Sequence, residues 1–209
     1  MINLKIRWQK LITELNVNPT QSEKMYAFLE KKYTEKHRRY HNLQHLRELF
    51  AYVDKYADLL PEKCLVELAI WYHDSIYSVW RPAKNELKSA ELAERECEHL
   101  KLSRPEKKRL KAWIIGTKAH CLPPSHDTAS GRLFMDFDTA ILGAEPKIYE
   151  QYRKNIRAEY GIYPDLLYNA GRKKALQAFL EKPIFLTNLF KEKYEKQARA
   201  NITQELKML

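Results

Sequence analysis

Apolar side chains recur along this chain at three- and four-residue spacing, and no period-2 run is long enough for a strand, so the pattern predicts helices throughout. Leu4, Trp8, Leu11, Ile12 and Leu15 form one stripe, broken at Asn18-Pro19-Thr20. Met25, Phe28, Leu29 and Tyr33 form the next, entered through Pro19 and Thr20. Asn42 offers an N-cap to a third helix carrying Leu46, Leu49, Phe50 and Val53. Pro61 is expected to open a fourth, with Glu62 in its first turn and an apolar run from Leu65 to Ile70. Asn85 can cap a helix from Glu86 to about His99. Ser103 and Pro105 start another that ends near His120, with Leu110, Trp113 and Ile114 inward. A helix containing Phe134 to Leu142 stops at Gly143, and Pro146 begins one with Ile148, Tyr149, Tyr152, Ile156 and Tyr160 inward. Two more run to about Lys182 and from about Asn188 onward. The fold class expected is all-α, about nine or ten helices of ~10–14 residues. Nothing in composition marks a second domain, and no internal repeat is visible.

Composition changes this picture little, and charge adds one question. The 209 residues are enough for a real core, and the 44% hydrophobic and 31% charged content reads as soluble and globular rather than disordered. The net charge of +10 implies either a solvated basic surface or attraction to anions. The positives are spread over most helices and no RNA- or DNA-binding motif is present, which places a small phosphorylated substrate ahead of nucleic acid as partner. Three cysteines, Cys64, Cys97 and Cys121, make no CxxC pair and suit a reducing cytoplasm rather than a disulfide framework. The first residues carry charges where a signal peptide needs an apolar core, and no apolar run approaches the ~18 residues of a membrane helix, so no membrane partner is expected.

The candidate chemistry starts at His73-Asp74, which close the apolar run of the fourth helix. An ionised Asp and a His at the mouth of a buried helix are costly without a partner, and the two can donate to one divalent ion. His41 and His45 stand four apart, the spacing that places two side chains on one helix face, although His41 precedes the cap and leans in from just off the helix end. Asp136 and Asp138 follow downstream. Together these form a mixed nitrogen–oxygen set suited to Mn, Fe, Co, Ni or Zn, and less to Ca. A second pair, His126-Asp127, has no apolar run before it and reads as a turn or an N-cap. His37 and His99 read as surface residues. His120, beside Lys118, either lines a cavity or caps its helix as a cation. Glu86 is either a carboxylate acting at the site or simply one stabilised by its helix dipole. The 13 tyrosines read mostly as packing, with Tyr77 and Tyr160 able to face a cavity.

A histidine, then a His-Asp pair, then a single aspartate on an all-helical chain resembles the HD-domain superfamily of metal-dependent phosphohydrolases. Tyr40-His41-Asn42-Leu43-Gln44-His45, Trp71-Tyr72-His73-Asp74 and the segment from Asp136 to Gly143 are similar to a small group of bacterial HD proteins known mostly as predicted phosphohydrolases. The likeness extends to Asn85-Glu86 with Ser89-Ala90, to Ile156-Arg157-Ala158-Glu159-Tyr160, and to Ala198-Arg199-Ala200-Asn201. The Tyr-His-Asn-x-x-His segment also resembles that of the class I cyclic nucleotide phosphodiesterases. The resemblance implies a single HD-type helical bundle over residues 1–209, with a metal-site core at about 40–145 and the terminal helices packed on it. It implies a divalent metal ion (Mn, Fe, Co, Ni, Zn or Mg) held by His45, His73, Asp74 and Asp138, with Asp136 the rival for the last place and His41 as general acid. The activity implied is hydrolysis of a phosphomonoester or phosphodiester of a nucleotide or other small phosphorylated metabolite by metal-activated water, with Glu86 a second catalytic candidate. Phosphate contacts can come from Lys88, Lys118, His120, Arg153 and Arg157, and from the basic turn Arg38-Arg39. A non-catalytic nucleotide- or metal-binding sensor on the same fold is the alternative.

Overall fold

The computed structural model describes residues 2–209, and every regular element among them is helical, as the hydrophobic spacing predicts. Residues cluster into two compact units, one up to Phe134 and one spanning Met135–Leu209. The first holds α1 (Leu4–Glu14), α2 (Pro19–Tyr33), α3 (Leu43–Lys55), α4 (Lys63–Tyr72), α5 (Asn85–Glu96) and α6 (Arg104–Gly116). The division falls inside α7 (Ala129–Thr139), and within the segment at about 40–145 expected as the metal-site core. The second unit continues with α8 (Pro146–Glu159), α9 (Asp165–Leu180), α10 (Asn188–Phe190), a π-helical turn over Lys191–Glu195 and α11 (Lys196–Met208). Among the described residues no helix is long and apolar enough to cross a membrane.

Local chemistry explains most helix starts. Asn3, Asn18 and Asn42 each turn a side-chain oxygen onto a first-turn N–H, at 3.1 Å from Ile6, 2.9 Å from Thr20 and 2.8 Å from Gln44. Ser103 and Glu106 form a full capping box at α6. Two starts differ from the sequence expectation because tertiary partners compete. Glu62 lies just before α4 rather than in its first turn: its N–H goes to Ser130 Oγ at 3.0 Å, and its carboxylate accepts from Thr128 at 2.8 Å and forms an ion pair with Arg109 at 2.7 Å. Asn85 is the first residue of α5 rather than its cap, because its amide exchanges two hydrogen bonds with the Ser78 backbone, at 3.0 and 3.2 Å. His126-Asp127 belongs to a turn, as one of its two readings has it: Asp127 follows the 3-10 turn Pro124–His126 and its side chain does not cap α7. It grips Arg132 through two bonds of 2.6 Å while Thr128 Oγ1 accepts from the Gly131 N–H. Ile148 is 52% exposed rather than inward, whereas Tyr149 and Ile156 on the same helix are buried.

α4 is the central rod of the first unit, contacted by α3, α5 and α6. Its residues from Leu65 to Tyr72 are all buried, with Trp71 meeting Trp8 edge to face at 5.3 Å between ring centroids. Each large apolar side chain so buried stabilises the fold by roughly 1.5–3 kcal/mol. Glu67 is the polar member of that run. Arg7 and Lys63 both meet its Oε1 at 2.8 Å and Arg7 Nε donates to Oε2 at 3.3 Å, so its charge is partnered rather than stranded.

In the second unit α11 packs on α9 and on the 3-10 turn Ala140–Gly143, which also meets α8. Asn201, in the C-terminal segment of the HD likeness, donates to the Leu142 and Ala144 carbonyls, both at 2.8 Å, and fixes that turn. A Cβ at Gly143 would lie 2.6 Å from Tyr194 Cβ and 2.8 Å from the Tyr194 carbonyl oxygen, so only glycine lets the turn approach the π-helical segment this closely. Glu205 is fully buried and receives Tyr149 at 2.5 Å and Arg172 at 2.8 and 3.1 Å. Burial and this acceptor hold the Tyr149 phenol far above its ordinary range.

Candidate metal centre

His73 and Asp74 leave the C-terminal end of α4, and His45 sits in the first turn of α3, directly after the Asn42 cap. His73 is 1% exposed and His45 2%. The Ile70 carbonyl lies 2.9 Å from His73 Nδ1 and can only accept, so Nδ1 carries the proton and Nε2 keeps its lone pair. That lone pair faces the other two groups. His45 Nε2 is 3.2 Å from His73 Nε2, and Asp74 Oδ2 is 3.1 Å from His73 Nε2 and 4.0 Å from His45 Nε2. These three donor atoms lie within 4.8 Å of one another. Ligands at ~2.0–2.2 Å from one ion sit roughly 3–3.5 Å apart in tetrahedral or octahedral geometry. Two separations fall in that range and the third lies a few tenths of an ångström outside it. Two imidazoles and a carboxylate supply the lone pairs a divalent cation needs, and the set fits one.

His41 lies just off the helix, as the sequence reading expects. Its Nε2 is 4.0 Å from Asp74 Oδ2. Its ring stacks on Tyr77 at 4.4 Å and meets Tyr40 edge-on at 5.0 Å, two contacts that orient the imidazole. Phe134 stands edge-on to His73 at 5.9 Å. Tyr77 thus faces the site, one of two tyrosines the sequence reading allows such a place.

Arg38 is the residue sequence reasoning misplaces. The basic turn offers it with Arg39 as a phosphate contact, but its side chain has no exposed surface. Its guanidinium donates to the carbonyls of His41 at 3.1 Å, Asp74 at 2.7 Å and Ser75 at 3.3 Å, and Nε donates to Glu35 at 3.2 Å. It stitches the His41 segment to the His73-Asp74 segment and is not available to a ligand. A basic turn gives no local signal that separates a clamp of this kind from a solvated cation.

Glu86, at the start of α5, has one carboxylate oxygen, Oε2, that is buried and unpartnered. Burial, and after it the charge of Asp74, push its carboxyl above the usual glutamate range, while the neighbouring Lys118 and His120 oppose the shift. Glu86, Asp74, Lys118 and His120 are therefore electrostatic neighbours. Lys118 Nζ donates to the Ala83 carbonyl at 2.7 Å, on the loop leading into α5. His120 adopts a left-handed φ of 46° where the chain leaves α6, and the Cys121 N–H closes onto the Gly116 carbonyl at 3.2 Å. Lys88 is exposed on α5.

The raised Glu86 carboxyl gives a pH signature. A group bound to its proton more tightly in the folded than in the unfolded chain contributes stability below the ordinary glutamate pKa, and that contribution is lost as pH rises through the folded value. Glu86→Gln is therefore expected to melt at a higher temperature than the parent at pH 8, and the difference is expected to vanish near pH 4. Equal melting temperatures at both pH values would remove the assignment.

The remaining candidates lie in the second unit. Asp136 is fully buried and already committed. Its carboxylate accepts from the backbone of Leu186 at 2.6 Å and Thr187 at 2.9 Å, and from the Thr187 hydroxyl at 2.5 Å. Asp138, two residues on, is half-buried. Arg153 is held by Glu150 at 2.7 and 2.8 Å within α8. Arg157 ties Asp165 at 2.6 Å to the carbonyls of Tyr160 and Tyr163, and its guanidinium lies over the Tyr168 ring. Neither a protein-family model, nor a curated protein, nor a solved structure matches this chain. The HD likeness therefore rests on the residues themselves.

Proposed function

We propose that this chain is a divalent-metal-dependent phosphohydrolase of the HD type, acting on a phosphomonoester or phosphodiester of a nucleotide or another small phosphorylated metabolite. The observation that carries the reading is the convergence of His45 Nε2, His73 Nε2 and Asp74 Oδ2, the two histidines buried and the aspartate partly so, beside a separately oriented histidine. Asp138 is the fourth ligand the resemblance adds, and the commitment of Asp136 to residues 186–187 supports that choice. A bound divalent cation supplies Lewis acidity at a phosphoryl oxygen and a water acidic enough to attack near neutral pH.

The chain's own residues do the rest. The Ile70 carbonyl fixes the His73 tautomer, and Arg38 holds the two ligand-bearing segments in register. His41, stacked on Tyr77, is the general acid of this reading and would give a proton to the leaving oxygen. Glu86 is suited to hold and return a proton, and Lys118 and Lys88 offer positive charge to the phosphate. The three cysteines are free thiols, which supports a reducing, cytoplasmic setting.

The test is elemental analysis of the purified chain followed by a panel of phosphorylated metabolites with the metal found. About one equivalent of transition metal and hydrolysis of at least one compound are expected. Metal or nucleotide binding without turnover of any compound would replace the enzyme with a sensor.

A further inference from the structure

Three of the four tryptophans are buried, Trp8 at 1% and Trp71 and Trp113 at 0% exposure, whereas Trp80 is 72% exposed. Burying a tryptophan is among the larger single apolar gains a fold can make, so a lone ring left in water asks for an explanation. Among the described residues no ring or cation stacks on it. The chain around it is held on both sides. Ser89 Oγ bonds both the N–H and the carbonyl of Ile76, and the Asn85 amide does the same for Ser78. Val79 is 5% exposed, and beyond Trp80 a short 3-10 turn over Pro82–Lys84 is tied down by Lys118 at Ala83. The indole is therefore presented by a braced loop rather than trailing from a loose one.

That loop joins Asp74 to Glu86. Tyr77, three residues before Trp80, is stacked on His41. Three residues span at most about 10–11 Å, so the Trp80 backbone lies within that distance of the Tyr77 backbone. This is comparable to the reach of a nucleoside monophosphate from phosphate to base. Arg81 and Lys84, which follow Trp80 in the chain, are exposed cations. A flat apolar ring followed closely in the chain by exposed positive charge suits an aromatic anion better than the apolar face of a protein partner.

We propose that Trp80 is the stacking platform for the substrate's aromatic ring, which makes the substrate class a nucleotide rather than a sugar or polyol phosphate. This rests on the phosphohydrolase reading for the identity of the phosphate site. Base–aromatic stacking is worth roughly five- to 150-fold in affinity.

Because Trp80 is the exposed tryptophan, acrylamide quenching of intrinsic fluorescence reads it selectively, with no need for turnover. The probes are the four common ribonucleoside 5′-monophosphates, ribose 5-phosphate and inorganic phosphate, each added to the full chain. Nucleotides are expected to shield Trp80, and the two base-free compounds are not. Trp80→Ala is expected to weaken nucleotide binding, followed by calorimetry, by about ten-fold or more while leaving ribose 5-phosphate unchanged, and Trp80→Phe to restore most of the loss.

The proposal is overturned if no nucleotide alters the quenching, or if Trp80→Ala binds nucleotides as tightly as the parent. It is also overturned if dilution of the protein, rather than nucleotide, changes the exposure, since that marks a contact between copies. Shielding by nucleotides with no hydrolysis under any metal would keep the platform and remove the enzyme reading. Hydrolysis of ribose 5-phosphate and nucleotides at equal efficiency, with Trp80 still open, would do the reverse.

Discussion

Asp74→Ala is expected to leave the chain folded and to strip it of both metal and hydrolysis. The carboxylate contributes one of the three converging donor atoms, whereas Arg38 grips the Asp74 backbone carbonyl, so removing the side chain spares the clamp. Losing an outer partner of a metal ligand typically costs 10–100-fold, and losing the ligand itself is expected to exceed ~100-fold in metal affinity and in turnover. Metal content by elemental analysis and melting temperature with added metal provide the check. A cation that binds only the folded chain stabilises it by about 2.7 kcal/mol at a hundred times its Kd, so the parent should melt higher on addition of metal and the variant should not. His73→Ala is the less clean probe, because it also opens a cavity beside Phe134 and frees the Ile70 carbonyl. An Asp74→Ala chain that keeps its metal and its rate would end the assignment.

Much of this architecture is legible in the sequence because it is local. Asn42 before an apolar stripe and Ser103 with Pro105 announce helix starts, and both helices begin there, each start held by a bond spanning two or three residues. The set His45, His73 and Asp74 is legible mainly through the family resemblance, whose ligand places these residues fill. The residues alone say only that a His-Asp pair at the end of an apolar helical run needs a partner, and the structure brings the three donor atoms together.

What the sequence conceals is decided between distant residues. Asn85 has the form of a cap and spends its amide on Ser78 instead. Glu62 has the form of a first-turn acid and binds Thr128 and Arg109. The pairing of Asp136 with residues 186–187 explains which of two nearby aspartates is structural, and no spacing rule contains it, because the partners lie fifty residues on. The division between the two compact units is equally hidden, since it falls inside α7 and no linker composition marks it.

Arg38 is where fold and site meet, and its replacement carries the largest expected loss of stability. Arg38→Met keeps the length of the side chain and its packing against Tyr33 and Tyr77 while removing the guanidinium. Three main-chain carbonyls, at His41, Asp74 and Ser75, lose their donor in a region whose side chain has no exposure to water. Stranding a buried polar group costs about 1–3 kcal/mol, and breaking a buried charged network about 3–5 kcal/mol, so a loss of roughly 3–5 kcal/mol is expected. For a chain of this size that lowers the melting temperature by about 10 °C or more.

The loss should reach the metal as well. His41 and Asp74 belong to separate segments that Arg38 holds together, and loosening them should weaken metal binding by about 10–100-fold even though no ligand has changed. Arg38→Lys separates charge from geometry. A single ammonium cannot reproduce the fork that spans three carbonyls, so lysine should recover only part of the stability and little of the metal affinity. If Arg38→Met melted with the parent and bound metal as tightly, the guanidinium would be a bystander, and the register of the two ligand segments would have to come from the packing of α3 on α4 alone.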